Sequence, residues 1–274
     1  TGAHFTPLPI PGGELASTPD HVLRWDALPA SLILVGGGVA AVELASTSGR
    51  FGVRVVVLAP EVRLLPAFDA AVSEAATRAL ASCGVEVIVN ADVVHVEHDA
   101  VNGGGVGVYV SEPGRSAHRV LRAQRVLSAI GRTPNTAALD LEAAGVSLDV
   151  RGRIAVDRHF RTQARGIHAI ARVSSADPLT AVAAAQARHV AERSFGKGAK
   201  LPEMGAVPVA VFCAPAIAAV GLTETEARMR WPGRADTDKR AAPERIDVVV
   251  RRFVSLEQRL AGSGAESLIK LVCN

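Results

Sequence analysis

The run Gly36-Gly37-Gly38-Val39-Ala40-Ala41 constrains this chain more than any other segment. It follows the apolar, strand-like stretch Ser31 to Val35 and opens a stretch with helical spacing, Val39 to Phe51, which Gly52 stops. A second strand, Val53 to Leu58, comes next, so strand, glycine turn, helix and strand fit within thirty residues, the size of one βαβ unit. The pattern is G-x-G-x-x-A. Small residues are needed there because the first must turn tightly, the second must let the backbone approach a pyrophosphate, and the third must let helix and strand pack closely. The helix N-terminus adds N–H groups and a positive dipole end for phosphates. Gly36, Gly38 and Ala41 are therefore the expected phosphate site of a dinucleotide. Such folds place an acid for the ribose 2′-hydroxyl, or an arginine for a 2′-phosphate, at the end of the second strand. Here that strand ends Leu58-Ala59-Pro60, and Glu61 and Arg63 follow closely but not in the expected place, so Ala59, Glu61 and Arg63 are candidates and the coenzyme stays open. Glu43 sits between Val42 and Leu44, where a carboxylate needs a partner, and is a further functional candidate.

Beyond the first unit the pattern repeats once. Asp69 to Cys83 has helical spacing, and Val85 to Val89 is a strand. Val93 to Glu97, Val106 to Val110 and Arg119 to Leu121 are short alternating runs separated by Asn102-Gly103 and Pro113-Gly114, which predicts an antiparallel meander. Val126 to Ile130 is a strand. The turn-rich stretch Asn135 to Asp157 leads to an expected buried strand, Gly166 to Val173, and a helix, Ala181 to Phe195. Lys197 to Glu203 reads as a linker. Val207 to Asn274 alternates short strands with one helix from Thr223 to about Arg230 and closes on an apolar strand, Leu268 to Cys273, with nothing after it to pair or cover it.

Composition excludes several classes. At 274 residues the chain is too long for one small core. Its net charge of +3 comes from scattered basic residues, the densest knots being Lys239-Arg240 and Arg251-Arg252, with no aromatic residues arranged to stack bases, so nucleic acid is not an expected partner. Cys83, Cys213 and Cys273 form no CxxC, CxxxxC or metal-ligand spacing; each reads as a small core hydrophobe in a reduced compartment, and the expected location is cytoplasmic. The opening Thr1-Gly2-Ala3-His4 has neither the basic start and apolar run of a secretory signal nor an initiator Met, so the true start is expected to lie upstream. Met204 to Thr223 carries no charge before Glu224, but Pro208 and Pro215 interrupt it and its Val and Ile residues favour short strands in a buried sheet, so no membrane span is expected.

In combination these segments resemble the flavoprotein disulfide reductases along essentially the whole chain. Thr1-Gly2-Ala3 with Pro9 to Gly12 resembles the family's crossover from its FAD domain; GGGVAAVE from Gly36 resembles its NAD(P) turn, and AIGRTPNT from Ala129 resembles the segment closing the nucleotide domain. Arg153 to Ile170 and Leu179 to Arg188 resemble a second FAD-contacting segment, and Ala210 to Ala227 the start of an interface domain. The implied fold is α/β: a Rossmann-like NAD(P)-binding domain (26–134) with an inserted antiparallel meander, a remnant of an FAD domain (1–25 and 135–200), and a truncated α+β dimerisation domain (201–274). Leu179 to Ala183 and Phe253 to Val272 look most like glutathione reductase, and dihydrolipoamide dehydrogenase is the alternative, because Val39 stands where glutathione reductases usually have Tyr.

The resemblance implies an enzyme that reduces glutathione disulfide or another small disulfide by passing hydride from NAD(P)H through FAD to a cysteine pair, acting as a homodimer. It adds Gly131, Arg132, Arg172, Leu179 and Thr180 to the cofactor-contacting candidates and places Glu43 near the nicotinamide. It also marks departures. The family's CxxxxC pair and FAD-phosphate turn would precede Thr1, and its His–Glu acid/base pair would follow Asn274, so this chain alone is expected to be inactive. Ala171-Arg172 replaces a Gly-Asp that holds the flavin ribityl chain, and Pro60 and Pro66 stand where glutathione reductases have two Arg. A catalytically inactive nucleotide-binding or dimerising paralogue is the competing expectation.

Overall fold

The computed structural model describes residues 1–99, 104–174, 179–196, 206–231, 246–262 and 266–273. The expected turn at Asn102-Gly103, the linker Lys197 to Glu203 and the basic pair Lys239-Arg240 lie outside them. Along the chain run β1 (Ala3–Phe5), α1 (Pro19–Val22), β2 (Ser31–Val35), α2 (Val39–Arg50), β3 (Arg54–Leu58), α3 (Ala70–Ser82), β4 (Glu86–Ile88), β5 (Asp92–Asp99), β6 (Gly105–Ser111), β7 (Arg119–Ala123), β8 (Arg125–Ser128) and β9 (Arg132–Pro134). There follow α4 (Thr180–Phe195), β10 (Val209–Val211), β11 (Ile217–Ala219), α5 (Glu224–Arg230), β12 (Asp247–Phe253), α6 (Leu256–Leu260) and β13 (Ser267–Cys273). They form two compact units, residues 7–130 with 210–274, and residues 1–6 with 131–209.

In the larger unit a parallel sheet has the order β4-β3-β2-β8. Every residue of β2 is buried, as expected of a central parallel strand covered on both faces. Helix α2 buries Ala41, Val42 and Ala45, and α3 buries Ala76 and Leu80. The meander appears as the antiparallel sheet β5-β6-β7. Its buried Val96, Val106, Val108 and Val110 share one core with Ile33, Val35 and Leu58 of the parallel sheet. Strands β12 and β13 pair antiparallel from Asp247–Cys273 to Phe253–Ser267.

The smaller unit joins β1 to β9 and carries α4 and a small core of Val146, Ile154 and Ala169. The buried strand expected over Gly166 to Val173 does not form. Thr162 donates its N–H to the Ile167 carbonyl, which closes a turn. The Ala171 N–H goes to the side chain of Gln186, so no ladder continues, and Ala171–Val173 is a 3-10 turn.

Other expectations also need correction. The segment around β10 and β11 is not a buried sheet, because Phe212 and Val220 are 76% and 64% exposed and Val211 is the one buried residue of the two strands. The terminal strand does find a partner, in β12, which precedes it. Of the cysteines, Cys213 is buried, Cys83 is half-buried and Cys273 is exposed, so the core reading holds for one. No helix among the described residues is long and apolar enough to cross a membrane.

Candidate nucleotide site

The glycine turn sits between β2 and α2, at the carboxyl edge of the parallel sheet. Gly36 has φ 124°, and a side chain there would put its first carbon 2.5 Å from the carbonyl oxygen of Ala129, backbone that cannot swing aside. Gly36 donates its N–H to Leu58 at 2.8 Å, and Leu65 donates to the Gly37 carbonyl at 2.7 Å. The turn is thus tied to the end of β3 and to the loop beyond it. Gly38 differs: its backbone is extended, with φ −82° and ψ −175°, and among the described residues no atom beyond its chain neighbours lies within 4 Å of the position a first side-chain carbon would take. The absence of a side chain leaves this stretch of backbone open to a close ligand. Gly38 caps α2, whose first-turn N–H groups have no partner within the helix. Ala41 is fully buried, where a larger residue would push helix from sheet.

Ala59 is buried beneath the turn, its methyl 3.0 Å from the side-chain direction of Gly37. Glu61 is brought to the same place, with Oε2 at 3.1 Å from that direction. This oxygen is shielded from water and has no hydrogen-bond partner among the described residues. Two backbone bonds hold the loop: Asn90 donates to the Glu61 carbonyl at 3.0 Å and Ala91 to that of Ala59 at 3.0 Å. Arg63 turns away, its Nη2 donating to the carbonyls of Pro66 and Phe68.

Glu43 is not without a partner. Its Oε1 accepts the backbone N–H of Phe212 at 2.8 Å, and Ser46, one turn on, accepts the N–H of Ala214 at 3.1 Å. The outer face of α2 therefore holds the segment leading into β11.

The remaining candidates fall in the smaller unit. Gly131 accepts the N–H of Thr6 at 3.0 Å. The Arg132 guanidinium lies over the Phe5 ring at 3.9 Å. Burial, with a smaller contribution from Arg132, pushes the Arg172 guanidinium below its ordinary value, which places two positive charges in one neighbourhood. Ala171 holds φ 59°, a conformation suited to glycine, fixed by the 2.7 Å bond from its N–H to Gln186. Leu179 caps α4 and Thr180 is its first residue.

Sequence reasoning missed Gln186, and it missed a cluster in the larger unit. Lys270 on β13 donates to Asp69 at 2.8 Å and to Glu224 at 2.6 Å. Asp69 also caps α3 through the Ala71 N–H and accepts the Glu224 N–H. Burial raises the Asp69 pKa, but the bonds from Lys270, Glu224 and Ala71 outweigh it, so the net shift is downward. The sequence marks Asp69 as a helix start, and it caps α3; a lone Lys in the apolar run Leu268 to Cys273 is the signal for a distant carboxylate.

The profile of the family described as pyridine nucleotide-disulphide oxidoreductase matches residues 1–187. A glutathione reductase of Burkholderia cepacia is 32% identical over 274 residues, which is all of this chain and 57% of that protein. A mercuric reductase of Acidithiobacillus ferrooxidans is 35% identical, covering 94% of this chain and 45% of its own length. A dihydrolipoyl dehydrogenase of Rhizobium etli is 34% identical, covering 83% and 47%. Among solved structures, a Cu(II) complex of a variant of the HOCl-induced flavoprotein disulfide reductase RclA from Escherichia coli matches with a TM-score of 0.86 at 29% identity, over all of this chain and 58% of its own. The chain thus spans between 45% and 58% of the length of these proteins.

Proposed function

The chain belongs to the pyridine nucleotide-disulphide oxidoreductase family, and from that premise we propose that it is the nicotinamide-coenzyme-binding part of a flavoprotein disulfide reductase acting on glutathione disulfide or a similar small disulfide. One observation carries the reading. Gly36 cannot bear a side chain, whereas Gly38, at the head of α2, meets no atom in that direction among the described residues beyond its chain neighbours, so the second glycine serves an approaching group rather than the fold. A pyrophosphate suits that place, because extended backbone and the helix N-terminus offer N–H groups to an anion. Gly36, Gly38 and Ala41 would hold the pyrophosphate, and Glu61 would meet the adjoining ribose. The bound coenzyme would supply the hydride. Glu43 would act on the site indirectly, by fixing α2 against the Phe212 backbone.

Enzymes of this family use FAD and NAD(P)H. The residues at Ala171-Arg172 do not fit a flavin contact made by a carboxylate, since a guanidinium only donates and favours anions. That observation favours a second reading, a nucleotide-binding and dimerising relative without turnover. Cys83, Cys213 and Cys273 are all free and hold no redox-pair spacing, so the 274-residue chain by itself should not reduce a disulfide. Dihydrolipoamide is the alternative substrate.

Phe253, Ile269 and Leu271 are exposed and share one face of the β12–β13 pair, and Leu256 and Leu260 of α6 are exposed as well. In a homodimer a second copy would cover that face. Coenzyme titration decides the main reading: saturable binding of NADH or NADPH to the purified chain is expected, and no binding of either at millimolar concentration would overturn it.

A further inference from the structure

The buried residues of α4 are Val182, Gln186 and His189, four and three positions apart and so on one stripe of the helix. Only the first is apolar. Docking of α4 therefore leans on two polar contacts: Gln186 accepts the Ala171 N–H at 2.7 Å from the 3-10 turn, and His189 meets His159 on the loop that follows Asp157. His189 is 2% exposed and the Phe160 ring stands edge-on to it at 6.0 Å, so a polar ring is held where water cannot replace a lost partner.

The contact between the two imidazoles has a defined direction. His159 Nδ1 lies 3.3 Å from His189 Nε2, the ring planes are 12° apart and the ring centres are 5.6 Å apart. The centres are farther apart than the nitrogens by a ring radius on each side, so the rings meet edge to edge with these nitrogens facing each other. Such a contact holds one proton, because one nitrogen donates and the other accepts. When both rings are cations both nitrogens carry hydrogen, the bond is lost, and two like charges are left in contact. We propose that His159 and His189 form a proton-operated latch, which holds α4 to the smaller unit while one proton lies between the rings and releases it when both rings are protonated.

The surroundings keep the latch closed at neutral pH. Burial, then Arg193 one turn further along α4, then Arg158 hold the His159 ring below its ordinary 6.5, and His189 adds to them. Asp157 acts the other way, but its Oδ1 accepts the backbone N–H groups of His159 and Arg161, and its Oδ2 is paired with the Arg161 guanidinium. The 3-10 turn packed against α4 brings Arg172 as its charged residue. With a folded value below the unfolded one, the contribution of His159 to stability is complete above about 6.5 and is lost as pH falls through the lowered value. Leu179 and Thr180, the cofactor-contacting candidates at the head of α4, would move with the helix.

The test is hydrogen exchange of backbone amides in the full chain, corrected for the intrinsic effect of pH, at about pH 7.5 and about pH 5, on either side of the ordinary imidazole value. Relative to the β2 amides, those of α4 (Thr180–Phe195) should exchange at least about tenfold faster at the lower pH, the effect of one proton taken up on release. In His159→Gln, which keeps a donor and an acceptor but does not titrate, the difference should fall below about twofold. Ring-nitrogen shifts of labelled histidine in the unaltered protein give a readout that needs no variant: the His159 and His189 rings should become doubly protonated together, over the same pH range in which α4 loses protection. Equal α4 protection at both pH values, the same acceleration in His159→Gln, equal acceleration of α4 and β2, or two rings that titrate independently would overturn the latch.

Discussion

Lys270 on the final strand reaches Asp69 at the start of α3 across 201 residues of sequence, with Nζ 2.8 Å from Oδ1. Both side chains are nearly buried, at 11% and 13% exposure, and Glu224 completes the cluster at 2.6 Å. In Lys270→Met the nearly buried Asp69 would lose its cation, while Glu224 would keep Arg228. The expected cost is about 2 kcal/mol, read as a shifted urea midpoint, because an uncompensated buried charge costs more than a lost surface pair.

The same cluster sets a pH dependence. Asp69 is held below its ordinary 3.8 by bonds that outweigh burial, and Glu224 below its ordinary 4.5, chiefly by Lys270 and then by Arg228. Folded-state values below the unfolded ones mean that the carboxylates contribute fully above about 4.5 and lose their contribution as pH falls through the lowered values. Burial lowers the Lys270 pKa, but the bonds to Asp69 and Glu224 raise it above its ordinary 10.5, so its contribution is complete below that and lost as pH rises through the raised value. Melting temperature of the unaltered protein relative to Lys270→Met should therefore show its widest gap between about pH 5 and 10 and narrow on both sides. A gap that does not vary with pH would contradict this.

Ala171 occupies a left-handed conformation at φ 59°, where a side chain is strained by about 1 kcal/mol. Ala171→Gly should therefore raise stability or leave it unchanged, the relief being offset by the greater freedom of glycine in the unfolded chain. A loss above about 1 kcal/mol in thermal unfolding would show that the strain is not there.

The exposed Ile269, Leu271 and Phe253 predict self-association. Light scattering across a concentration series should give a dimer or larger species, and Leu271→Lys should shift it toward monomer. A monodisperse monomer at every concentration would contradict the homodimer.

How much of this was legible beforehand follows from the range of each signal. The glycine turn, β2, α2 and the meander were read closely because glycine placement and periods of 3.6 and 2 are local. Gly166 to Val173 misled, because an apolar run looks like a strand whether or not its N–H groups find a ladder. Here a side chain fifteen residues away, Gln186, takes the Ala171 N–H. Glu61 was named with its neighbours Ala59 and Arg63, but nothing local distinguished them. The close approach to Gly37 separates Glu61 from Arg63, which faces its own loop. Glu43 was expected to need a partner; that the partner is the Phe212 backbone, 169 residues on, required the fold.

The central claim, that Gly38 is open for a bound dinucleotide, is tested most directly by calorimetric titration of NADH into the unaltered protein and into Gly38→Val. The extended backbone at Gly38 accepts a β-branched residue, and among the described residues no atom beyond its chain neighbours lies within 4 Å of the first side-chain carbon, so the variant should fold with an unchanged melting temperature. The account predicts saturable binding to the unaltered protein and at least about a tenfold loss in the variant, since a branched side chain would stand where the pyrophosphate must approach the backbone. Equal affinity in a variant that is still folded would contradict it.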